Sequence, residues 1–159
     1  MRIGKKKILY KDWIYEWLIE KREYIKESTY ANYSNNIFNH IIPKLGNYDL
    51  YELNHKIIQN FLLELSKTGK KDGSGGLSEK TIKDITIIVK GSLKKAINEE
   101  KMKHIELTFN YPKDQDEKKI YILTKHEQTK ITDYVLNNLT TRNIGILISL
   151  YSGIRIGEL

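Results

Sequence analysis

Hydrophobic side chains recur at intervals of three and four residues along most of the chain, the spacing that places them on one face of an α-helix. The first such segment follows Asp12, which we expect to cap the helix, and its apolar face is formed by Trp13, Ile14, Trp17 and Leu18. A second helix is predicted to begin at Ser28 and to end at Pro43 and Gly46. A third is predicted from Asn54 to Ser66.

A polar, glycine-containing loop over residues 67–76 precedes the longest predicted helix, which begins at Ser78 and reaches about Glu100. Two further helices are predicted, from Thr124 to about Leu139 and over residues 143–151. Between them and the longest helix, residues 103–119 combine a short extended run with Pro112 and mixed charges. The pattern therefore predicts an all-α fold, with a four- to five-helix bundle over residues 1–103, a linker over 104–120 and the first helices of a second domain over 121–159.

The composition favours a partner of opposite charge. The formal net charge is +7, and nucleic acid is the commonest polyanion for a protein of this kind. No apolar run approaches the roughly 20 residues that span a bilayer, so we expect a cytoplasmic protein with no membrane partner. There is no cysteine, and the four histidines show no ligand spacing, so no metal site and no cofactor is expected.

Four lysines lie on one side of the longest predicted helix. At about 100° per residue they fall within roughly 80° of each other, opposite the apolar stripe, and they form a row nearly 20 Å long. These residues are Lys80, Lys83, Lys90 and Lys94. Such a row can neutralise phosphates of a DNA backbone. A solvated lysine face, common on any helix, is the alternative interpretation.

The second predicted helix carries a polar face formed by Thr29, Asn32 and Asn36. Asparagine can bind adenine bidentately, and threonine can contact phosphate or a thymine methyl group. Alternatively, helix capping and an asparagine-rich composition account for the presence of these residues, with no role in DNA binding. The pattern alone leaves both interpretations open.

Near the end of the chain, an apolar helix is predicted to break at Ser152-Gly153 and to be followed by Arg155 and Glu158. The guanidinium of Arg155 is suited to bidentate binding of phosphate, and glycine before it allows close approach. This stretch resembles the first catalytic arginine motif of the tyrosine recombinases, or phage integrases. Three other segments resemble the same family in the same order: Ser28–Tyr33 with Ile41–Gly46, Leu77–Ile82, and Ile122–Glu127.

The resemblance implies that residues 1–103 form the SAM-like core-binding domain of an integrase and that residues 121–159 begin its catalytic domain. It implies a double-stranded attachment or core site on DNA as the partner, and DNA integration or recombination of a mobile element as the process. Arg155 would be the first catalytic arginine, supported by Glu158, although a buried structural Arg–Glu pair is an alternative. The intact enzyme would assemble as a tetramer on DNA, and this portion would be a monomer.

The chain departs from the family pattern because it contains no His-x-x-Arg pair, and the tyrosine nucleophile would have to lie beyond residue 159. We therefore expect these residues to be catalytically inactive by themselves. Two other functions fit the sequence: a stand-alone helical DNA-binding regulator without strand-transfer chemistry, and a protein-interaction bundle whose charge reflects composition.

Overall fold

The computed structural model describes residues 7–113 and 121–158, apart from the side chain of Ile156. The chain divides into two compact units, Met1–Gln115 and Asp116–Leu159. The described part of the chain is built from helices and contains no β-strand, which confirms the predicted all-α class. An isolated backbone bridge pairs Leu9 with Asp49.

Over residues 7–113, the first unit contains five α-helices and two less regular helical segments. Helix α1 is followed by a short 3-10 helix, and a π-helix joins α2 to α3. Their bounds are α1 Tyr10–Lys21, 3-10 helix Arg22–Tyr24, α2 Glu27–Asn36, π-helix Ile37–Ile41, α3 Ile42–Leu45, α4 His55–Thr68 and α5 Glu79–Asn98.

Capping side chains account for the beginnings of the later helices. Ser78 accepts a hydrogen bond from the backbone N–H of Thr81 at the start of α5, and Asn54 caps α4 in the same way. The expectation that Asp12 caps the first helix is wrong. Helix α1 begins at Tyr10, three residues earlier than a helix capped by Asp12 would begin, so Asp12 lies in its first turn, where its charge faces the positive end of the helix dipole.

Helix α5 supplies the centre of the core. Its buried residues include six that form an apolar stripe on the side of the helix opposite the lysines: Ile82, Ile85, Ile88, Val89, Leu93 and Ala96. All four apolar residues expected on the first helix are buried with them. Burial of these side chains is the main favourable contribution to folding of this unit.

A buried hydrogen-bond network joins α1 to α5 at Ser92. The indole N–H of Trp13 donates to the Ser92 carbonyl oxygen over 2.9 Å, and the Ser92 hydroxyl donates to the carbonyl of Val89. Because the Ser92 hydroxyl has one hydrogen, the hydroxyl of Tyr10 is the donor in its 2.8 Å bond to Ser92 Oγ. The network satisfies polar groups that would otherwise be costly to bury.

Replacement of Tyr10 by Phe is expected to reduce the loss of stability at alkaline pH. Burial raises the pKa of Tyr10 well above its ordinary value near 10, and the hydrogen bond with Ser92 offsets part of that rise. Its stabilising contribution is therefore complete below pH 10 and is lost as the pH rises further. Between about pH 9 and about pH 11, the wild type should lose about 1.4 kcal/mol more unfolding free energy than Tyr10→Phe in urea denaturation. Equal losses in the two proteins would contradict this assignment.

Residues 103–113, which include the first part of the linker predicted over 104–120, pack on the helices of the first unit in an irregular extended conformation. Phe109 is buried and stacks on His55, with ring centroids 5.2 Å apart. The side-chain amide of Gln59 forms two hydrogen bonds with the backbone of Asn110, of 2.9 and 3.0 Å. The domain boundaries expected from the sequence remain a prediction, but this stretch is held along α4.

The second unit contains helices α6, Lys125–Asn137, and α7, Thr141–Ser152, followed by the 3-10 helix Ile156–Glu158. Thr124 and Glu127 form a reciprocal capping box at the start of α6, where the sequence predicted the helix to begin. The two helices contact each other, and the hydroxyl groups of Thr132 and Tyr151 lie 3.1 Å apart. Helix α7 ends at Gly153, as predicted, because this residue adopts the left-handed conformation with φ of 73°.

Candidate nucleic-acid interface

The lysine row predicted on the longest helix lies on the solvent side of α5. Lys80, Lys83 and Lys94 are exposed, and Lys90 is half-buried. Lys80 and Lys94 have no ion pair in the part of the chain that the structure describes. The four residues lie opposite the buried stripe because the helix repeats every 3.6 residues. The structure therefore presents a row of positive charge to solvent.

The two central lysines are held by neighbouring side chains. The ammonium of Lys83 lies 5.5 Å from the ring centroid of Tyr111, and that of Lys90 lies 5.4 Å from the ring of Phe109. Lys83 also forms an ion pair with Glu79 over 2.6 Å, and this hydrogen bond raises its pKa. Cation–π contacts of this kind restrict the side chains but leave their charge in place. The extended segment 103–113 thus positions half of the row.

A groove of about 510 Å³ lies between the C-terminal parts of α1 and α5, and both Lys94 and Lys95 line it. Trp17 and the exposed Tyr24 line it from the first helix and the 3-10 helix that follows. Within this lining, Lys95 forms ion pairs with Glu20 and Glu99, which neutralise its charge locally. Lys94 therefore extends the positive row at this end, whereas Lys95 does not.

The polar face expected on the second helix is only partly available. Asn32 is exposed and Thr29 is half-buried, but Asn36 is only 6 % exposed. The Asn36 amide donates to the side-chain oxygen of Asn32 over 3.3 Å. The expectation that Asn36 shares an exposed face with the other two residues is wrong, because the α2–π-helix segment turns this position toward the core. A base-contacting role for Asn36 is incompatible with this burial.

A second basic cluster lies where the π-helix meets the loop after α4. His40, Lys70 and Lys71 border a hollow of about 180 Å³. Partial burial and the nearby charge of Lys71 lower the pKa of His40, so the neutral imidazole is favoured at neutral pH. Lys44, on the same hollow, pairs with Glu64 and contributes less net charge.

Arg155 and Glu158 lie at the surface of the second unit. Arg155 is 88 % exposed, and its guanidinium lies 3.8 Å from a carboxylate oxygen of Glu158. The other carboxylate oxygen accepts a hydrogen bond of 3.2 Å from the Arg155 backbone N–H. A buried structural pair, the alternative raised by the sequence, does not occur. The left-handed Gly153 lets the chain turn from α7 so that Arg155 points into solvent.

The first unit also matches a known family model. Residues 9–66 match the phage integrase, N-terminal SAM-like domain. This match supports a relationship between the chain and the tyrosine recombinase family. It spans α1 to most of α4, together with the polar face of α2. Helix α5 with its lysine row lies outside the matched residues, so its assignment depends on geometry and charge.

Neither the curated proteins nor the solved structures gave a match to this chain. Among residues 7–113 and 121–158, no helix is both long and apolar enough to cross a membrane. The same residues contain no cluster of three or more His, Asp or Glu side chains arranged to hold a metal ion.

Two further residues of the α5 surface were not predicted from the sequence. Ile87 is 57 % exposed on the lysine side of α5, and Gly91 lies against the Trp17 ring on the next turn. The position of Ile87 is evident from helical periodicity, since it falls between Lys83 and Lys90 on the same side. The role of Gly91 could not be found in this way, because its neighbour lies 74 positions away in the sequence.

Proposed function

We propose that the first unit binds double-stranded DNA as the core-binding domain of a site-specific tyrosine recombinase, with the α5 lysine row as its main contact to the phosphate backbone. The observation that carries the proposal is the row of lysines from Lys80 to Lys94 on the solvent side of α5, placed in the same compact unit as the integrase-like segment. DNA offers one phosphate charge per roughly 1.7 Å of its axis, so a row of this length meets several phosphates.

The arrangement of the row suits backbone contact. Lys80 and Lys94 are 14 residues apart, which corresponds to about 21 Å along the helix axis. Between them, the contacts of Lys83 and Lys90 with aromatic rings reduce the side-chain entropy that is lost when phosphate binds. Asn32 and Thr29 on α2 are proposed as additional contacts to phosphate or base.

For the second unit, we propose that residues 121–159 begin a catalytic domain in which Arg155 binds the scissile phosphate. The exposed guanidinium supports this role, since it can donate two parallel hydrogen bonds to phosphate oxygens and stabilise developing charge. Glu158 contacts both the side chain and the backbone of Arg155 and would orient it. Because the resemblance places a second arginine and the tyrosine nucleophile beyond these residues, this chain alone would bind DNA without cutting it.

The intact enzyme would recombine the DNA of a mobile element in the cytoplasm, assembling as a tetramer on its site, whereas this chain alone would be monomeric. The chemistry of a tyrosine nucleophile needs neither metal nor nucleotide cofactor, so none is invoked.

Fluorescence anisotropy tests the proposal directly. If the four lysines each neutralise one phosphate, affinity for an AT-rich duplex of about 30 base pairs should fall about 150-fold between about 50 and 200 mM salt. Binding that is absent at the lowest salt, or that changes less than about twofold over this range, would contradict the proposal. That outcome would instead favour a protein-interaction bundle.

A further inference from the structure

The small basic hollow of the first unit lies between the π-helix, α3, α4 and the loop that follows α4. Its volume is about 180 Å³, and the charged or titratable groups that line it are His40, Lys44, Glu64, Lys70 and Lys71. Pockets for drug-sized ligands usually measure about 300–1,000 Å³. A hollow of this size therefore suits one small charged group.

The lining is positive even when its ion pair is taken into account. The Lys44 ammonium pairs with the Glu64 carboxylate, so these two charges offset each other. Lys70 and Lys71 are exposed, and neither forms an ion pair in the part of the chain that the structure describes. The Asp72 carboxylate of the same loop attracts Lys70 but does not line the hollow. Two ammonium groups therefore remain to attract an anion.

Backbone hydrogen bonds hold the loop that carries these two lysines. The N–H of Lys70 donates to the carbonyl oxygen of Gly75 over 2.9 Å, which closes the loop on itself. The N–H of Leu77 donates to the carbonyl oxygen of Leu65 on α4 over 2.8 Å, which ties the end of the loop to that helix. Lys70 and Lys71 are thus kept beside the hollow before any ligand binds.

His40 adds a titratable donor to this cluster. Its imidazole is half-buried and forms no hydrogen bond within the described residues, so its ring nitrogens are not committed to another group. Partial burial and the charge of Lys71 lower the pKa of His40, which favours the neutral ring at neutral pH. An anion in the hollow has the opposite effect, because its negative charge favours the imidazolium. Protonation then adds a third positive charge and makes both ring nitrogens donors.

We propose that this hollow binds one phosphate group, with Lys70 and Lys71 supplying charge and His40 supplying an N–H donor, and that binding strengthens when His40 is protonated. Lysine binds phosphate as a point charge, and phosphate oxygens accept hydrogen bonds from several donors at once. A phosphate of the DNA backbone is one source of this group, and that assignment rests on the proposed DNA-binding function. Free inorganic phosphate is the other source of the same chemistry.

The first experiment measures the affinity of the full chain for the AT-rich duplex by fluorescence anisotropy at about pH 8 and about pH 5, on either side of the ordinary histidine pKa. If a backbone phosphate occupies the hollow, affinity should rise about tenfold at the lower pH, the value of one added charge-assisted hydrogen bond. In His40→Gln, whose side chain does not titrate, the rise should fall below about twofold.

His104→Gln is the matched control. His104 is an exposed histidine of the same unit that does not line the hollow, so this variant should keep the rise in affinity of the wild type. Thermal melts at both pH values check that each protein is folded under the conditions of the titration.

The second experiment replaces DNA by inorganic phosphate. In NMR titrations of the His40 ring, millimolar phosphate should raise the pKa of His40 relative to chloride at equal ionic strength. In Lys70→Ala with Lys71→Ala, phosphate should no longer change this pKa. A rise in duplex affinity that is lost in His40→Gln assigns the hollow to the DNA backbone. A phosphate-induced change in the pKa of His40 without that rise assigns the hollow to free phosphate.

Two results would overturn the inference. If neither the duplex affinity nor the pKa of His40 responds as described, the hollow binds no phosphate. If the rise in duplex affinity persists in His40→Gln, another group causes it. Failure to bind the duplex at either pH contradicts the proposed DNA-binding function instead, and the experiment with inorganic phosphate then decides the fate of the hollow by itself.

Discussion

Simultaneous replacement of Lys80 and Lys94 by alanine is expected to weaken DNA binding about 60-fold at about 0.1 M salt. The slope of log affinity against log salt concentration should become shallower by about 1.8, since each lost phosphate contact changes this slope by about 0.9. Both lysines are exposed and without ion pairs in the described part of the chain. Their charge is therefore fully available to phosphate, whereas Lys83 shares its charge with Glu79. Anisotropy titrations at several salt concentrations measure both quantities.

A double variant on another helix controls for net charge. Lys56 and Lys67 are both exposed on α4, so Lys56→Ala with Lys67→Ala removes the same charge without touching α5. If the long-range field of the protein caused the binding, the two double variants would lose affinity equally. That result, or an unchanged slope for the α5 variant, would exclude the row from the interface.

Replacement of Trp17 by alanine is expected to lower the free energy of unfolding by about 3–5 kcal/mol, the range for loss of a large buried aromatic side chain. Trp17 is buried on α1, and its ring stacks on Tyr33 of α2 at a centroid distance of 5.9 Å. The same ring faces Gly91 of α5. The indole thus connects three helices, including the two that carry the proposed DNA contacts. Urea unfolding followed by far-UV circular dichroism measures the change.

The contact between Trp17 and Gly91 can be tested by asking whether Gly91→Ala stabilises or destabilises the protein when the Trp17 ring is present and when it is removed. A Cβ atom at this position would lie 2.8 Å from Cζ2 of Trp17, closer than such atoms approach. Gly91→Ala should destabilise the wild type by about 1 kcal/mol, because the steric cost exceeds the gain in helix propensity of about 1 kcal/mol. In the Trp17→Ala background, the space is vacant and the same change should stabilise by about 1 kcal/mol. If Gly91→Ala changed the free energy of unfolding in the same direction in both backgrounds, the Trp17 ring would not be the reason for a glycine at this position.

Helix positions were predictable from the sequence because their signals are local. The three- and four-residue spacing of apolar side chains identified the buried faces of α1 and α5, and Ser78 and Thr124 identified two helix starts. A capping side chain and its amide partner are separated by three residues, so no distant contact is needed to recognise them. The start of the first helix was predicted three residues late because Leu9, an apolar residue without a capping side chain, precedes it.

Part of the candidate interface was predictable for the same reason. The lysine row follows from helical geometry alone, as does the end of α7 at Gly153. The exposure of Arg155 did not, since the sequence also allowed a buried Arg–Glu pair. Asn36 was misplaced because its burial depends on how the α2–π-helix segment packs within the unit. An asparagine has the same local pattern whether its helix face meets water or the core.

The sequence by itself determined the all-α class, the main helices and the row of positive charge on α5, since each follows from residue spacing within one or a few helical turns. Tertiary structure decided which of the polar residues are exposed, how the extended segment after α5 holds Lys83 and Lys90, and why Gly91 must be small. These properties depend on pairs such as Trp17 with Gly91 and Gln59 with Asn110, which lie 74 and 51 positions apart. Contacts between residues so distant in the chain form only when the helices pack, and no local pattern encodes them.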